Sequence, residues 1–183
     1  MALRRAAGEG DMPRLRQLVQ AGASPHSFDE AFERTALHYA SQHGRCDAVS
    51  LLLEYDADPD ARDLTDFTPL HLASERGHTN TVNVLLQHGA SMMARTSNGS
   101  VALHLAAHNN HVETAYALLT NMLEAGYLPK QAGDATFDGL RNNYEMTPMD
   151  HARNKGHDAL VHMLNVMTAG GRDDERAVRG AVR

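Results

Sequence analysis

The stretch Thr68-Pro69-Leu70-His71-Leu72-Ala73 decides the fold of this chain. Thr can cap the N-terminus of a helix, and Pro suits the first helical turn because its missing N–H would have no partner there. Leu70 and Ala73 are three residues apart and therefore share one helical face. Gly77 can adopt the left-handed conformation that ends a helix, so the stretch predicts a short helix ending near Gly77.

A second helix is predicted directly after Gly77. Val82, Leu85 and Leu86 have the i, i+3, i+4 spacing of a helix with one apolar face, and Gly89 ends it. The first helix has only about two turns, too few for stability alone in water. Each helix pair must therefore be buried against further copies of the same unit.

Further copies occur along the chain, with starts separated by 33, 33 and 46 residues. Three of them begin at Thr35-Ala36-Leu37-His38-Tyr39-Ala40, Val101-Ala102-Leu103-His104-Leu105-Ala106 and Thr147-Pro148-Met149-Asp150-His151-Ala152. A degenerate first copy comprises Ala6-Ala7-Gly8-Glu9-Gly10 with Leu15, Leu18 and Val19. A fixed period of this length indicates stacked repeats.

This motif and its period resemble the ankyrin repeat family, over about residues 2–167. The resemblance implies an all-α solenoid of stacked helix-turn-helix units with projecting hairpin loops. It implies one domain of five repeats, at about 2–29, 30–62, 63–95, 96–141 and 142–167. Residues 168–183 then form a charged C-terminal tail, which we expect to be flexible.

The resemblance also implies a function, because ankyrin repeats bind other proteins through hairpin tips and the concave face of the first helices. We predict a non-enzymatic adaptor, scaffold or inhibitor without a cofactor. Carried over by alignment, the partner-binding residues are Phe32, Arg34, His43, Leu64, Phe67, Glu75, Arg76, His108, Asn109, Tyr144 and Met146. The aromatic and Met side chains among them suit interface hot spots, and packing against the neighbouring repeat is the alternative.

Two departures from the family pattern concern the loops. The hairpin glycine is kept only at Gly99, so the bends at Glu33, Asp66 and Glu145 are expected to be altered. The fourth repeat is 13 residues longer than its neighbours. We expect one extra helical turn at 121–124 and an extended finger within Tyr127–Asn143 that contacts a partner or covers part of the concave face.

Composition excludes several classes of protein. The 183 residues are 42% hydrophobic, and a single cysteine, Cys46, excludes an internal disulfide. The net charge of −6 and the absence of a long apolar run argue against binding to nucleic acid or membrane. Residues 29–66 carry ten acids against three arginines, either a solvated region or a patch for a basic partner. We expect a cytoplasmic protein, with the nucleus left open.

Twelve histidines suggest a metal site or an enzyme as the alternative function. Most fall on family positions with structural roles, and His43 and His108 lie too far apart in the stack to share an ion. Asp56-x-Asp58-x-Asp60 lacks the Gly and Glu of a calcium loop. A further alternative is an ankyrin domain cut from a larger regulatory protein. We expect a monomer, with weak self-association through the C-terminal repeat.

Overall fold

The computed structural model describes residues 1–128 and 133–169. Within these ranges the chain forms ten α-helices and one 3-10 helix, Gly133–Leu140. The α-helices are α1 (Ala2–Glu9), α2 (Met12–Gln20), α3 (Ala36–Gln42), α4 (Cys46–Glu54), α5 (Pro69–Glu75), α6 (Thr79–Gln87), α7 (Ala102–His108), α8 (Val112–Glu124), α9 (Pro148–Lys155) and α10 (Asp158–Thr168). The predicted all-α class is confirmed.

The helices form two layers. The first-helix layer contains α1, α3, α5, α7 and α9, each packed on the next, and the second-helix layer contains α2, α4, α6, α8 and α10. Ala7, Ala40, Ala73, Ala106 and Ala152 are fully buried, one in each helix of the first layer. Their small side chains let neighbouring backbones approach closely, which gives a stacked solenoid.

Helix starts use the residues that the motif predicts. At α3, Thr35 Oγ1 accepts from the backbone N–H of His38, and His38 Nδ1 accepts from the N–H of Thr35. At α9 the carboxylate of Asp150 replaces the imidazole and accepts from the N–H and the hydroxyl of Thr147. Each arrangement satisfies backbone donors that a helix N-terminus otherwise leaves unpaired.

The expected alteration of the hairpin bends is wrong. Glu33, Asp66 and Glu145 have φ of 57°, 59° and 58°, the same left-handed region as Gly99 at 79°. Asp56 likewise adopts φ 60° after α4, where Gly22 and Gly89 follow α2 and α6. The hairpins therefore keep one shape and accept the cost of a side chain at positive φ.

The enlarged fourth repeat differs from the prediction in one respect. Helix α8 has 13 residues against nine in α6, which confirms the extra turn. The segment after it is not an extended finger, because Gly133–Leu140 is helical and packs against α9 and α10. Leu128, Phe137 and Leu140 are buried, so they are unavailable to a partner. The intervening residues 129–132 lie outside the described ranges.

Arg95 fastens this inserted segment to the third hairpin. Its guanidinium donates to the carbonyl oxygens of Gly99 at 2.7 Å, Arg141 at 2.9 Å and Gly139 at 3.1 Å. A single side chain thus joins the third hairpin to the C-terminal end of the insertion.

At the C-terminal end, α10 buries Met163 and half-buries Val161 and Met167. The predicted flexible tail falls almost entirely at 170–183, outside the described residues. Among the described helices, none has the length and apolar character needed to cross a membrane.

Candidate protein-binding surface

One polar side chain organises each hairpin, and Asp63 shows the arrangement best. Its Oδ1 accepts from the N–H of Thr65 at 2.9 Å and of Phe67 at 3.0 Å. Its Oδ2 accepts from Nε of Arg34, on the preceding repeat, at 2.9 Å. Burial raises the pKa of Asp63, but these donors outweigh it and hold the pKa below its ordinary value.

Asp29 and Asn142 play the same part in the first and last hairpins. Asp29 accepts from the N–H of Phe32 at 2.7 Å and Arg34 at 3.1 Å. Asn142 Oδ1 accepts from the N–H of Tyr144 at 3.0 Å and Met146 at 3.1 Å. Sequence analysis missed these anchors, although Asp or Asn five or six residues before each capping Thr is the signal that could have found them.

The hairpins are joined to one another in a continuous line, which we call the hairpin row (residues 29–35, 63–68, 96–101 and 142–147). Backbone N–H groups of one hairpin donate to carbonyls of another: Leu64 to Phe32 at 3.0 Å, Ser97 to Thr65 at 3.1 Å, and Asn143 to Asn98 at 3.0 Å. Guanidinium groups extend the connection, from Arg62 to the carbonyl of Arg95 and from Arg95 to that of Arg141. The tips are therefore held in fixed relative positions.

The structure divides the five apolar candidates of the hairpin row. Phe32, Leu64 and Tyr144 are 57%, 59% and 67% exposed, so their side chains are open to a partner. Phe67 and Met146 are half-buried. The Phe67 ring lies 5.7 Å from that of His71, which makes Phe67 chiefly a packing residue. Arg34 contacts one member of this exposed group, because its guanidinium lies 5.5 Å from the centroid of the Phe32 ring.

The candidates on the first helices lie at their C-terminal ends. His43, Arg76 and Asn109 are exposed, and Glu75 and His108 are half-buried. Asn109 donates to the carbonyl of Leu105 within its own helix. These five side chains lie along the C-terminal ends of α3, α5 and α7. They form a set separate from the hairpin row, which precedes the N-terminal ends of the first helices.

His108 is engaged with a histidine of the next repeat. Its Nδ1 lies 3.3 Å from Nδ1 of His151, and His151 Nε2 lies 3.2 Å from Nδ2 of Asn142. Two backbone donors fix the Asn142 amide with its oxygen toward Tyr144 and Met146. Asn142 Nδ2 must then donate to His151 Nε2, so the proton of neutral His151 is on Nδ1 and His108 accepts it.

This chain of donors requires both histidines to be neutral. A proton added to His108 Nδ1 would face the N–H of His151, and one added to His151 Nε2 would face the Asn142 amide. Burial lowers the pKa of both imidazoles, and each is lowered further by nearby positive charge, including Lys155. The pair therefore joins α7 to α9 as a neutral contact.

Other histidines also join consecutive repeats. His38 and His104 use Nε2 to bond the carbonyls of Phe67 at 3.0 Å and Met146 at 3.1 Å. A second set bonds backward through Nε2, with pairs His78–Gln42, His111–Glu75 and His157–His108. Within the described residues, no group of three or more His, Cys, Asp or Glu side chains could hold a metal ion. These imidazoles are therefore occupied by structural bonds.

Several carboxylates of the acidic region, residues 29–66, are also bonded within the fold. Besides Asp29 and Asp63, Asp60 accepts from the N–H of Ser91 at 2.8 Å, and Asp66 pairs with Arg62 at 3.1 Å. The exposed acids that remain include Glu30, Glu33, Asp47 and Glu54. The charge excess of residues 29–66 therefore overstates the acidity offered to a partner.

Comparison with known proteins agrees with this geometry. A family model of ankyrin repeats in three copies matches residues 3–96, more than half of the chain, and a model of the single ankyrin repeat matches residues 98–125. The chain belongs to the ankyrin repeat family.

A relative among known proteins is the 2-5A-dependent ribonuclease of Mus musculus, which is 41% identical over 61 residues. The aligned part is 33% of this ankyrin repeat chain and 8% of the ribonuclease. The chain thus matches only a small part of that protein.

Proposed function

We propose that this protein is a non-enzymatic interaction module that binds another protein through the hairpin row and the exposed ends of the first helices. Membership of the ankyrin repeat family supports a protein–protein interaction module, and the roles of adaptor, scaffold or inhibitor follow from occupying a partner's surface. The observation that carries the proposal is the exposure of Phe32, Leu64 and Tyr144 on a row of hairpins whose polar groups are satisfied internally.

Rigidity is what makes this exposure useful for binding. Backbone bonds between hairpins hold the tips in place before any partner arrives, so less conformational entropy is lost on association. Large apolar side chains on such a platform contribute most of the binding energy in typical interfaces. His43, Arg76 and Asn109 would supply polar contacts at the rim of the same interface.

The proposed binding unit is the single domain of residues 2–167, divided into repeats at about 2–29, 30–62, 63–95, 96–141 and 142–167. The five helix pairs among the described residues support this division. We propose a monomer that acts in the cytoplasm on a protein partner, and not on nucleic acid or membrane. The engagement of Arg62, Arg95 and Arg141 with backbone carbonyls supports the exclusion of nucleic acid.

A second candidate is that this chain is an ankyrin part of a larger regulatory protein. The ribonuclease relative favours it, because the matched stretch is 8% of that protein. Binding through the hairpin row would then position other domains, and the surface described above would serve the same purpose.

The test is affinity capture from an extract of the native source, followed by mass spectrometry. The triple variant Phe32→Ser, Leu64→Ser and Tyr144→Ser is compared with a control that changes Tyr55 and Tyr127 to Ser, two exposed aromatics outside the hairpin row. Wild type and control should retain the partner, and the triple variant should lose it by at least about tenfold. Equal capture by the triple variant would contradict the proposal.

A further inference from the structure

We propose that a cleft at the N-terminal end of the first-helix layer binds an acidic peptide segment of a partner protein. The cleft has a volume of about 1050 Å³ and lies between α1 and the turn that follows α3. Its polar lining includes Arg4, Arg5, Arg14, Tyr39, His43 and Arg45. This inference rests on the proposed function, because it names the chemistry of a ligand at the same end of the binding surface.

The carboxylates of the cleft are already engaged. Glu9 Oε1 accepts from Nε of Arg5 at 2.8 Å, and Asp11 Oδ1 accepts from the N–H of Arg14 at 3.1 Å. Asp29 accepts from the hydroxyl of Tyr39 at 3.1 Å in addition to its hairpin donors. Each carboxylate thus has a partner within the fold, and among the described residues no ion pair joins one of them to Arg4 or Arg45.

The cations of the cleft keep free donors. Arg4 is half-buried, and in the described part of the chain no hydrogen bond or ion pair involves its side chain. Arg45 uses Nε to bond the carbonyl of Gly8 at 3.3 Å, which leaves its two terminal amino groups available. A guanidinium with free donors can bind a carboxylate bidentately, which is among the stronger hydrogen-bonding arrangements in proteins.

Size and surroundings favour a peptide over a small anion or a nucleic acid. The cleft is far larger than a phosphate ion, and the exposed methyl group of Ala2 gives it apolar wall that an extended peptide can cover. The exposed acids Glu30 and Glu33, on the hairpin beyond Asp29, would repel a long polyanion, whereas a peptide whose acidic residues are confined to the cleft would avoid that repulsion. Phe32 lies on that same hairpin, so a peptide leaving the cleft would reach the hairpin row.

The experiment is a selection of random peptides of about a dozen residues, displayed on phage, against the immobilised full chain. Enriched peptides are then synthesised, together with copies in which Asp and Glu become Asn and Gln, and titrated by fluorescence anisotropy. We expect enrichment of acidic residues and a loss of at least about tenfold in affinity for the neutral copies.

Matched variants locate the site. Arg4→Glu should weaken peptide binding by at least about tenfold and Arg4→Gln by less, whereas Arg16→Glu, an exposed change of equal charge on α2 outside the cleft, should alter it less than about twofold. Unchanged thermal unfolding of Arg4→Gln keeps the comparison valid if Arg4→Glu is unstable.

Three outcomes would overturn the inference. The enriched peptides could lack acidic residues, or Arg16→Glu could weaken peptide binding as much as Arg4→Glu does. The third is that inorganic phosphate saturates the Arg4 site at the same concentration as the peptide does. None of these outcomes bears on the binding of a partner by the hairpin row. The triple variant of Phe32, Leu64 and Tyr144 tests that binding separately.

Discussion

The inserted segment of the fourth repeat and the tips of the hairpin row both carry apolar side chains between α-helices, yet their side chains are buried to opposite extents. Phe137 and Leu140 of the insertion are fully buried, whereas Phe32 and Tyr144 of the tips are more than half exposed. The insertion has α9 and α10 to pack against, and the tips bond mainly to one another through their backbones. Exposure of a loop side chain therefore depends on the surface that the fold places beside it.

The two regions also differ in what holds them. Besides their apolar core, the regular repeats rely on buried polar side chains, with His71 and His104 almost fully buried and Asp63 bonded to two hairpins. The insertion relies on apolar burial and on the guanidinium groups of Arg95 and Arg141 near its surface. Conditions that change protonation should weaken the first region, and loss of apolar volume should weaken the second.

The largest expected effect is that of acid on the regular repeats. Burial lowers the pKa of His71 and of His104 to about 4, from 6.5 in the unfolded chain. Between pH 6.5 and about 4 unfolding then takes up protons, so stability is full above pH 6.5, falls as the pH drops from there to about 4, and loses no more from these two groups below that. Each histidine contributes about 3 kcal/mol to this loss. Urea unfolding between pH 7 and pH 4 measures it, and a flat profile would contradict it.

Hydrogen exchange over the same pH range separates the two regions. Residues 133–141 of the insertion contain no histidine, so their protection should fall only as the whole domain unfolds. Earlier loss of protection in the insertion than in α5 and α7 would break the proposed contrast.

Next in size is the effect of Phe137→Ala. Removing a fully buried aromatic side chain should cost about 3–5 kcal/mol of unfolding free energy. The same change at Phe32, which is 57% exposed, should cost less than about 0.5 kcal/mol. Urea unfolding at pH 7 measures both variants, and similar losses would show that exposure does not distinguish the two regions.

Asp63→Asn should have a smaller effect, about 1–3 kcal/mol, because an amide N–H₂ would face the guanidinium of Arg34 in a buried site. Asp56→Asn is the control, an exposed position with φ 60° that Asn tolerates. The pKa of Asp63 is lowered by folding, so its contribution is present above about pH 4 and is lost as the pH falls further. Asp63→Asn should therefore lose less stability than wild type as the pH falls below 4. A loss of unfolding free energy equal to that of wild type over this range would contradict the expectation.

The smallest effect concerns the tautomers of His108 and His151 at neutral pH. Nitrogen NMR should find His151 protonated on Nδ1 and His108 on Nε2, as the orientation of Asn142 requires. His151→Asn should free the His108 ring and change its nitrogen shifts while leaving the hairpin row intact. Finding the opposite tautomers would contradict the hydrogen bond assigned from His151 Nδ1 to His108 Nδ1.

Much of the fold was open to prediction from local pattern. The capping Thr residues, the helix-ending Gly77 and the longer α8 depend on neighbours within one or two turns. The bends at Glu33 and Asp66 do not follow from the loss of glycine alone, because backbone N–H groups that donate to Asp29 and Asp63 hold the hairpin shape without it. The predicted partner-binding residues also depend on neighbouring repeats, since Leu64 is exposed whereas Phe67 packs against His71.

By itself, the amino-acid sequence determined the repeat, its period and the helix pairs, because these rest on spacing within about 33 residues and on which residues begin and end helices. Only the tertiary structure decided which loop side chains are buried and which charges are free. Arg34 and Asp63 meet across 29 residues, and Arg95 reaches a carbonyl 46 residues away. Burial and charge pairing depend on what a neighbouring repeat places beside a residue, and that placement exists only after the repeats stack.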